Sequence, residues 1–189
     1  MNKNPKSFLS KALAVALTVL MLVAASVLVV GAAETVNVAK IGDTEYATLQ
    51  AAIDAAQAGD TVTLLKDITL GTYVQGKSDA AVTINKSITL DGNGKTLTSK
   101  AGRAINVNVA GDVEIENLTI KQYCGRNSDD QKRCINVINQ TANLKVTGCT
   151  LEMVEHYASG RTLTSYVAGV QAATGSNHNI VIEIGRAHV

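Results

Sequence analysis

The residues best equipped for chemistry lie in one polar stretch, CGRNSDDQKRC, from Cys124 to Cys134. Asp129 and Asp130 sit there beside Arg126, Lys132 and Arg133. Paired carboxylates suit acid–base work or a hard cation. Calcium, however, asks for about six to eight oxygen ligands, and two adjacent aspartates in a loop offer too few. The stretch therefore reads first as a charged loop. Tyr123 precedes it, and Tyr157 follows a later strand-like segment. Placed on one side of the molecule, Tyr123, Asp129, Asp130 and Tyr157 would make a contact patch, with the rings offering a stacking face for sugars. A disulfide between Cys124 and Cys134 would pinch this loop, and three cysteines leave at least one unpaired. Cys149 falls at an inward strand position and reads as a small buried hydrophobe.

Other chemical candidates are weaker. Glu114 and Glu116 occupy alternate positions of one strand, and Glu152 and Glu155 follow later. Aligning the segments sets Glu114 against Lys145 and Glu116 against Thr147, so no acidic column is expected and the glutamates read as a solvated face. His156 and His178 have no partner at ligand spacing. The DGNGKT run at Asp91 lacks the spacing of a phosphate loop and reads as a turn. No zinc spacing, HExxH or nucleophile motif occurs. On these residues the chain leans away from catalysis and implies no cofactor.

These groups need elements to hold them. Residues 1–33 read as a signal peptide: Lys3, Lys6 and Lys11 precede an apolar run from Ala12 to Val30, and Gly31-Ala32-Ala33 supplies small residues for cleavage. The run is long enough to anchor the chain if uncleaved, the one expected membrane contact. A secreted or cell-surface location follows. Without Lys3, Lys6, Lys11 and Arg186, the 17 basic residues fall to 13 against 16 acidic, near −3. That balance gives no footprint for nucleic acid. With no tryptophan, and its single phenylalanine (Phe8) in the signal, the exported part must build its core from Val, Ile, Leu and Ala.

Residues 34–60 read as an N-terminal strand and a short helix. Thr48 suits an N-cap, Leu49, Ala52, Ile53 and Ala56 form an apolar stripe, and Gly59 suits the left-handed C′ position. Residues 61–182 read as strands with tight polar turns and an internal repeat. RAINV at Arg103 recurs as RCINV at Arg133, and Val113 and Ile115 align with Leu144 and Val146. Leu118 and Ile120 align with Cys149 and Leu151, and a degenerate copy starts at Tyr166. Units of this length without helices point to an all-β parallel β-helix with inward columns and Asn106 and Asn136 stacked outward. An antiparallel β-sandwich is the alternative. The helix would then be the lid on the first rung.

The segments LQAAIDAAQAGDTVTL and ITLDGNGKTLT resemble the opening of right-handed parallel β-helix proteins of the pectate-lyase-like superfamily. They resemble in particular the exported surface proteins of Gram-positive gut bacteria. The resemblance covers Val36 to Ile182 and implies a cell-surface, adhesin-like protein that contacts polysaccharide or a host surface glycan. The superfamily also holds polysaccharide lyases and hydrolases. If this chain were one, its catalytic rungs would lie mostly elsewhere, and calcium would enter as a lyase cofactor. The last residues, 183–189, resemble a translated sequencing adapter (EIGRAHV). The expectation is an artefactual tail on a C-terminally truncated chain.

Overall fold

The structure is a computed structural model. It describes residues 36–74, 76–124, 132–139, 141–155, 168–172 and 179–183, with Glu155 and Ala168 known by backbone alone. The expected signal peptide and adapter-like tail (apart from Glu183) lie outside these residues. Among the described residues no helix is long and apolar enough to cross a membrane.

A hairpin of β1 (Ala39–Ile41) and β2 (Thr44–Tyr46) precedes the helix α1 (Leu49–Ala55). Strands follow as β3 (Thr61–Leu64), β4 (Ile68–Leu70), β5 (Ala80–Ile84), β6 (Thr89–Asp91) and β7 (Thr96–Ser99). Next come β8 (Arg103–Val107), β9 (Asp112–Glu116), β10 (Thr119–Cys124), β11 (Arg133–Val137) and β12 (Asn143–Thr147). The last are β13 (Thr150–Glu155), β14 (Ala168–Ala172) and β15 (Asn179–Glu183). They form three sheets, in the orders β15-β12-β9-β6-β3-β1-β2, β13-β10-β7-β4 and β14-β11-β8-β5. From β3 onward the chain visits the three sheets in strict rotation. Among the described residues ten of the twelve strand pairings are parallel, and only those of β1 are antiparallel. The fold is all-β with parallel sheets, and the antiparallel sandwich does not fit it.

The strands form where apolar and polar residues alternate, because successive side chains point to opposite faces. In β9, Val113 and Ile115 are buried while Asp112 stays exposed. Stacked partners repeat the pattern: Leu90, Ile115 and Val146 share one buried column, and Val82, Ile105 and Ile135 another. The repeat read from sequence has the register seen here, with Ile105 beside Ile135 and Val113 beside Leu144. Sharp corners separate the strands. Asn93 (φ 50°), Asn117 (φ 52°) and Gly94 (φ 70°) take left-handed turns, which asparagine and glycine tolerate best. Asn117 and the DGNGKT run are turns, as expected.

The helix closes one end. Thr48 accepts the Ala51 amide at 3.1 Å, and Leu49, Ala52, Ile53 and Ala56 are buried. The helix stops at Ala55, short of Gly59. Gly59 is therefore not its C′ residue. It takes φ 90° in the following turn and donates its amide to the Ser87 carbonyl at 2.8 Å. The Lys86 ammonium instead holds the helix end, donating to the Asp54 and Ala56 carbonyls. Gln50 reaches the free edge of β5: its amide donates to the Thr83 carbonyl at 3.1 Å and accepts the Thr83 amide at 2.8 Å. One side chain thus supplies both bonds that a missing strand would have made.

Candidate functional site

Two regions collect polar side chains. The first is the outer face of the seven-stranded sheet. Parallel pairing places equivalent residues of successive strands side by side, about 4.8 Å apart. One column runs Thr61, Thr89, Glu114, Lys145, Val181. A second runs Thr63, Asp91, Glu116, Thr147, Glu183. A third, at the strand starts, runs Asp112, Asn143, Asn179. Lys145 lies 2.9 Å from Glu114 and 3.9 Å from Glu183. Its hydrogen bond to Glu114, then the charges of Glu114 and Glu183, raise its pKa above the ordinary lysine value. Asn143 donates to Asp112 at 2.8 Å, and Thr147 to Glu183 at 3.3 Å.

A groove of about 660 Å³ follows this face, from Gly59 and Ser87 past Thr89 to Asn179 and Val181. Ile88, Val113 and Leu144 line it along with Asp112, Glu114, Asn143 and Lys145. It draws residues from β6, β9, β12 and β15, so its long axis crosses the strands. Such a trough offers hydrogen-bonding groups at the strand repeat; Ile88, Val113 and Leu144 are buried beneath it, and Val181, 42% exposed, is its exposed apolar side chain.

The pairings behind the expectation that no acidic column forms are present, and one acidic neighbour that the alignment passed over is added to them. Glu114 does face Lys145 and Glu116 does face Thr147, but Asp91 pairs with Glu116 on the other side. Asp91 accepts the Asn93 amide at 2.8 Å and the Asn117 side chain at 3.3 Å. The signal was hidden by a change of period: Asp91 precedes Glu116 by 25 residues, whereas Ile115 precedes Val146 by 31.

The second region lies where β7 turns into β8 and beside β10 and β11. Lys132 and Arg133 read from sequence as loop charges, yet both are buried, at 0% and 5% exposure. The Lys132 ammonium donates to the Val74 and Lys77 carbonyls at 3.0 and 3.2 Å and stands 5.1 Å from the Tyr73 ring centre. Arg103 pairs in register with Arg133 and donates to the Ser78 carbonyl. Burial lowers both guanidinium pKa values, and for Arg133 the Arg103 charge lowers it further. Lys132 and Arg103 hold Tyr73, Val74, Lys77 and Ser78 against the corner, while Arg133 donates to Gln171 and to the Lys132 carbonyl. Gly102 permits the approach, since a Cβ there would lie 2.3 Å from the Lys77 carbonyl oxygen. The region is built to hold a loop in place.

Of the sequence-derived contact patch, Tyr123 lies on β10, half-buried, with the Lys100 ammonium 5.7 Å from its ring centre. Asp129, Asp130 and Tyr157 lie outside the described residues, as do His156 and His178. The expected Cys124–Cys134 bridge is not formed: both are buried thiols. The Cys124 sulfur lies 3.4 Å from the Val154 carbonyl, and the Cys134 sulfur 3.6 Å from the Met153 sulfur. Burial, then the neighbouring Cys124, pushes the Cys134 thiol up to about 12. Cys149 packs half-buried against the core, opposite the level of Leu118. Asn106 and Asn136 do stack, with an amide bond of 3.1 Å. Among the described residues no three acidic, histidine or cysteine groups converge as metal ligands. No family model, curated protein or solved structure matches this chain.

Proposed function

We propose that the chain is a right-handed parallel β-helix of the pectate-lyase-like type, exported to the cell surface. In this reading it is adhesin-like and binds a polysaccharide or host surface glycan along the groove of the seven-stranded sheet. The observation that carries the reading is the strict rotation of strands through three parallel sheets in constant register. Strand–crossover–strand connections of this kind are right-handed in nearly all proteins. Such a stack presents a flat, ridged flank on which Asp112, Asn143 and Asn179 repeat, matching the repeat of a polymer. The groove replaces the Tyr123-centred patch as the contact surface.

One observation favours the second reading, a polysaccharide hydrolase or lyase. Asp91 and Glu116 are neighbours on adjacent strands, and retaining glycosidases hold two carboxyl groups about 5–5.5 Å apart. Calcium would belong only to a lyase. Affinity electrophoresis of the purified chain through gels containing polysaccharide tests the binding reading, with retardation expected. Release of reducing or unsaturated ends from pectin, alginate or neutral glycans, lost in Glu116→Gln, would move the assignment to the enzyme.

A further inference from the structure

Resting on the glycan-binding reading of the groove, we infer that its ligand is a neutral polysaccharide, lying across the strands, and that polyuronates are rejected. Direction comes from the walls. Asp112, Asn143 and Asn179 are consecutive members of one register column, so donors and acceptors recur about every 4.8 Å along the groove. A pyranose chain presents its hydroxyls at a comparable repeat, and its ring C–H faces suit the exposed Val181 side chain.

Selection comes from charge. Asp112 and Glu114 line the groove against one lining cation, Lys145, and the neighbouring column adds Asp91, Glu116 and Glu183 with Lys40 in register beyond Thr63. Lys145 is already engaged, 2.9 Å from Glu114. Lys86, at the groove's near end, is turned to the carbonyls of Asp54 and Ala56. Lys40, farther along the same sheet between Glu45 and Thr63, does not line the groove. A uronate carboxylate entering here would meet like charges and would have to displace Glu114 to gain a partner. Like-charge juxtaposition is an effective way to refuse a competing ligand. Neutral hydroxyls can both accept from the amides of Asn143 and Asn179 and donate to the carboxylates.

The test is affinity electrophoresis of the full chain through gels holding a neutral β-glucan, a galactomannan or polygalacturonate, each with and without calcium. Retardation by a neutral polymer and none by polygalacturonate is expected. Asn143→Ala should weaken that retardation about tenfold, the scale of a lost hydrogen bond with its desolvated partner. A double variant, Asp112→Asn with Glu116→Lys, should gain retardation by polygalacturonate at low salt while keeping the wild-type unfolding curve. Stronger retardation of the wild type by polygalacturonate, with or without calcium, would overturn the neutral-ligand inference and leave the glycan site standing. Retardation by none of the polymers would overturn the glycan reading itself and this inference with it.

Discussion

The two ends of the strand stack use the same residues to different effect. One apolar column of the seven-stranded sheet runs Val62, Leu90, Ile115, Val146, Ile182. The first four are 0–1% exposed, whereas Ile182 is 49% exposed. At the first end α1 lies over the column, the β1–β2 hairpin extends the sheet, and Gln50 bonds the β5 edge. At the other end Val170, Ala172 and Ile180 are only partly buried. An isoleucine in a column of stacked parallel strands is therefore not a core residue by its own pattern. It becomes one when the next layer covers it, as in one-dimensional assemblies where each layer contacts only its neighbours.

The largest test of that contrast compares equal truncations in one column. Ile115→Ala should cost about 2–5 kcal/mol, the range for emptying a packed site. Ile182→Ala should cost under about 1 kcal/mol, because little surface leaves water there. Urea unfolding of both variants checks this, and equal losses would show that the far end is as well covered as the near one. Next in size is the edge contact. Gln50→Ala strips the Thr83 amide and carbonyl of their partner, at an expected cost of about 1–3 kcal/mol. Hydrogen exchange at Thr83 should quicken more than exchange at Ile115. An unchanged Thr83 would mean the helix covers the edge without the glutamine.

A third test separates the buried corner from the acidic face. Cys134 has its folded pKa raised to about 12, above the usual thiol value near 8.5 in an unfolded chain. Its contribution is intact below the unfolded value and is lost as pH rises through the folded one, since the unfolded state then binds fewer protons. Between those values stability should fall with a slope approaching about 1.4 kcal/mol per pH unit, and Cys134→Ala should flatten the curve. Native-state alkylation at pH 8 should leave Cys134 unmodified long after Cys149 has reacted.

What sequence could reveal follows the same division. The columns were legible because Arg103 to Val107 and Arg133 to Val137 nearly repeat, and inward positions tolerate only apolar residues. The capping helix was legible from its stripe and from Thr48. The Asp91–Glu116 pair was not, because the interval between equivalent strands lengthens from 25 to 31 residues, and alignment at the longer period passes over Asp91. The burial of Lys132 and Arg133 was not legible either. Lys132 is held by Val74 and Lys77, 58 and 55 residues earlier, and Arg133 by Gln171, 38 residues later, contacts that no period encodes. Periodicity reports what a strand shares with its neighbours, and binding surfaces are made where neighbours differ.

The smallest effect belongs to Lys145, and it sharpens the contrast between stability and selection. Its ammonium is exposed, and exposed ion pairs contribute little to folding. Lys145→Gln should leave the urea midpoint unchanged at moderate salt. It does remove the cation that lies between Glu114 and Glu183, so both lose that partner. The expected signature is electrostatic: the variant's stability should rise with added salt more steeply than the wild type's, as screening relieves the uncompensated carboxylates. The salt dependence is read by repeating the unfolding curves from low to high ionic strength. Parallel salt curves for the two proteins would show that the acidic columns do not act on one another across the groove. A clear loss of stability at high salt would place Lys145 among the packing residues, with its aliphatic stem packing on the outer face of the sheet instead of its charge answering Glu114.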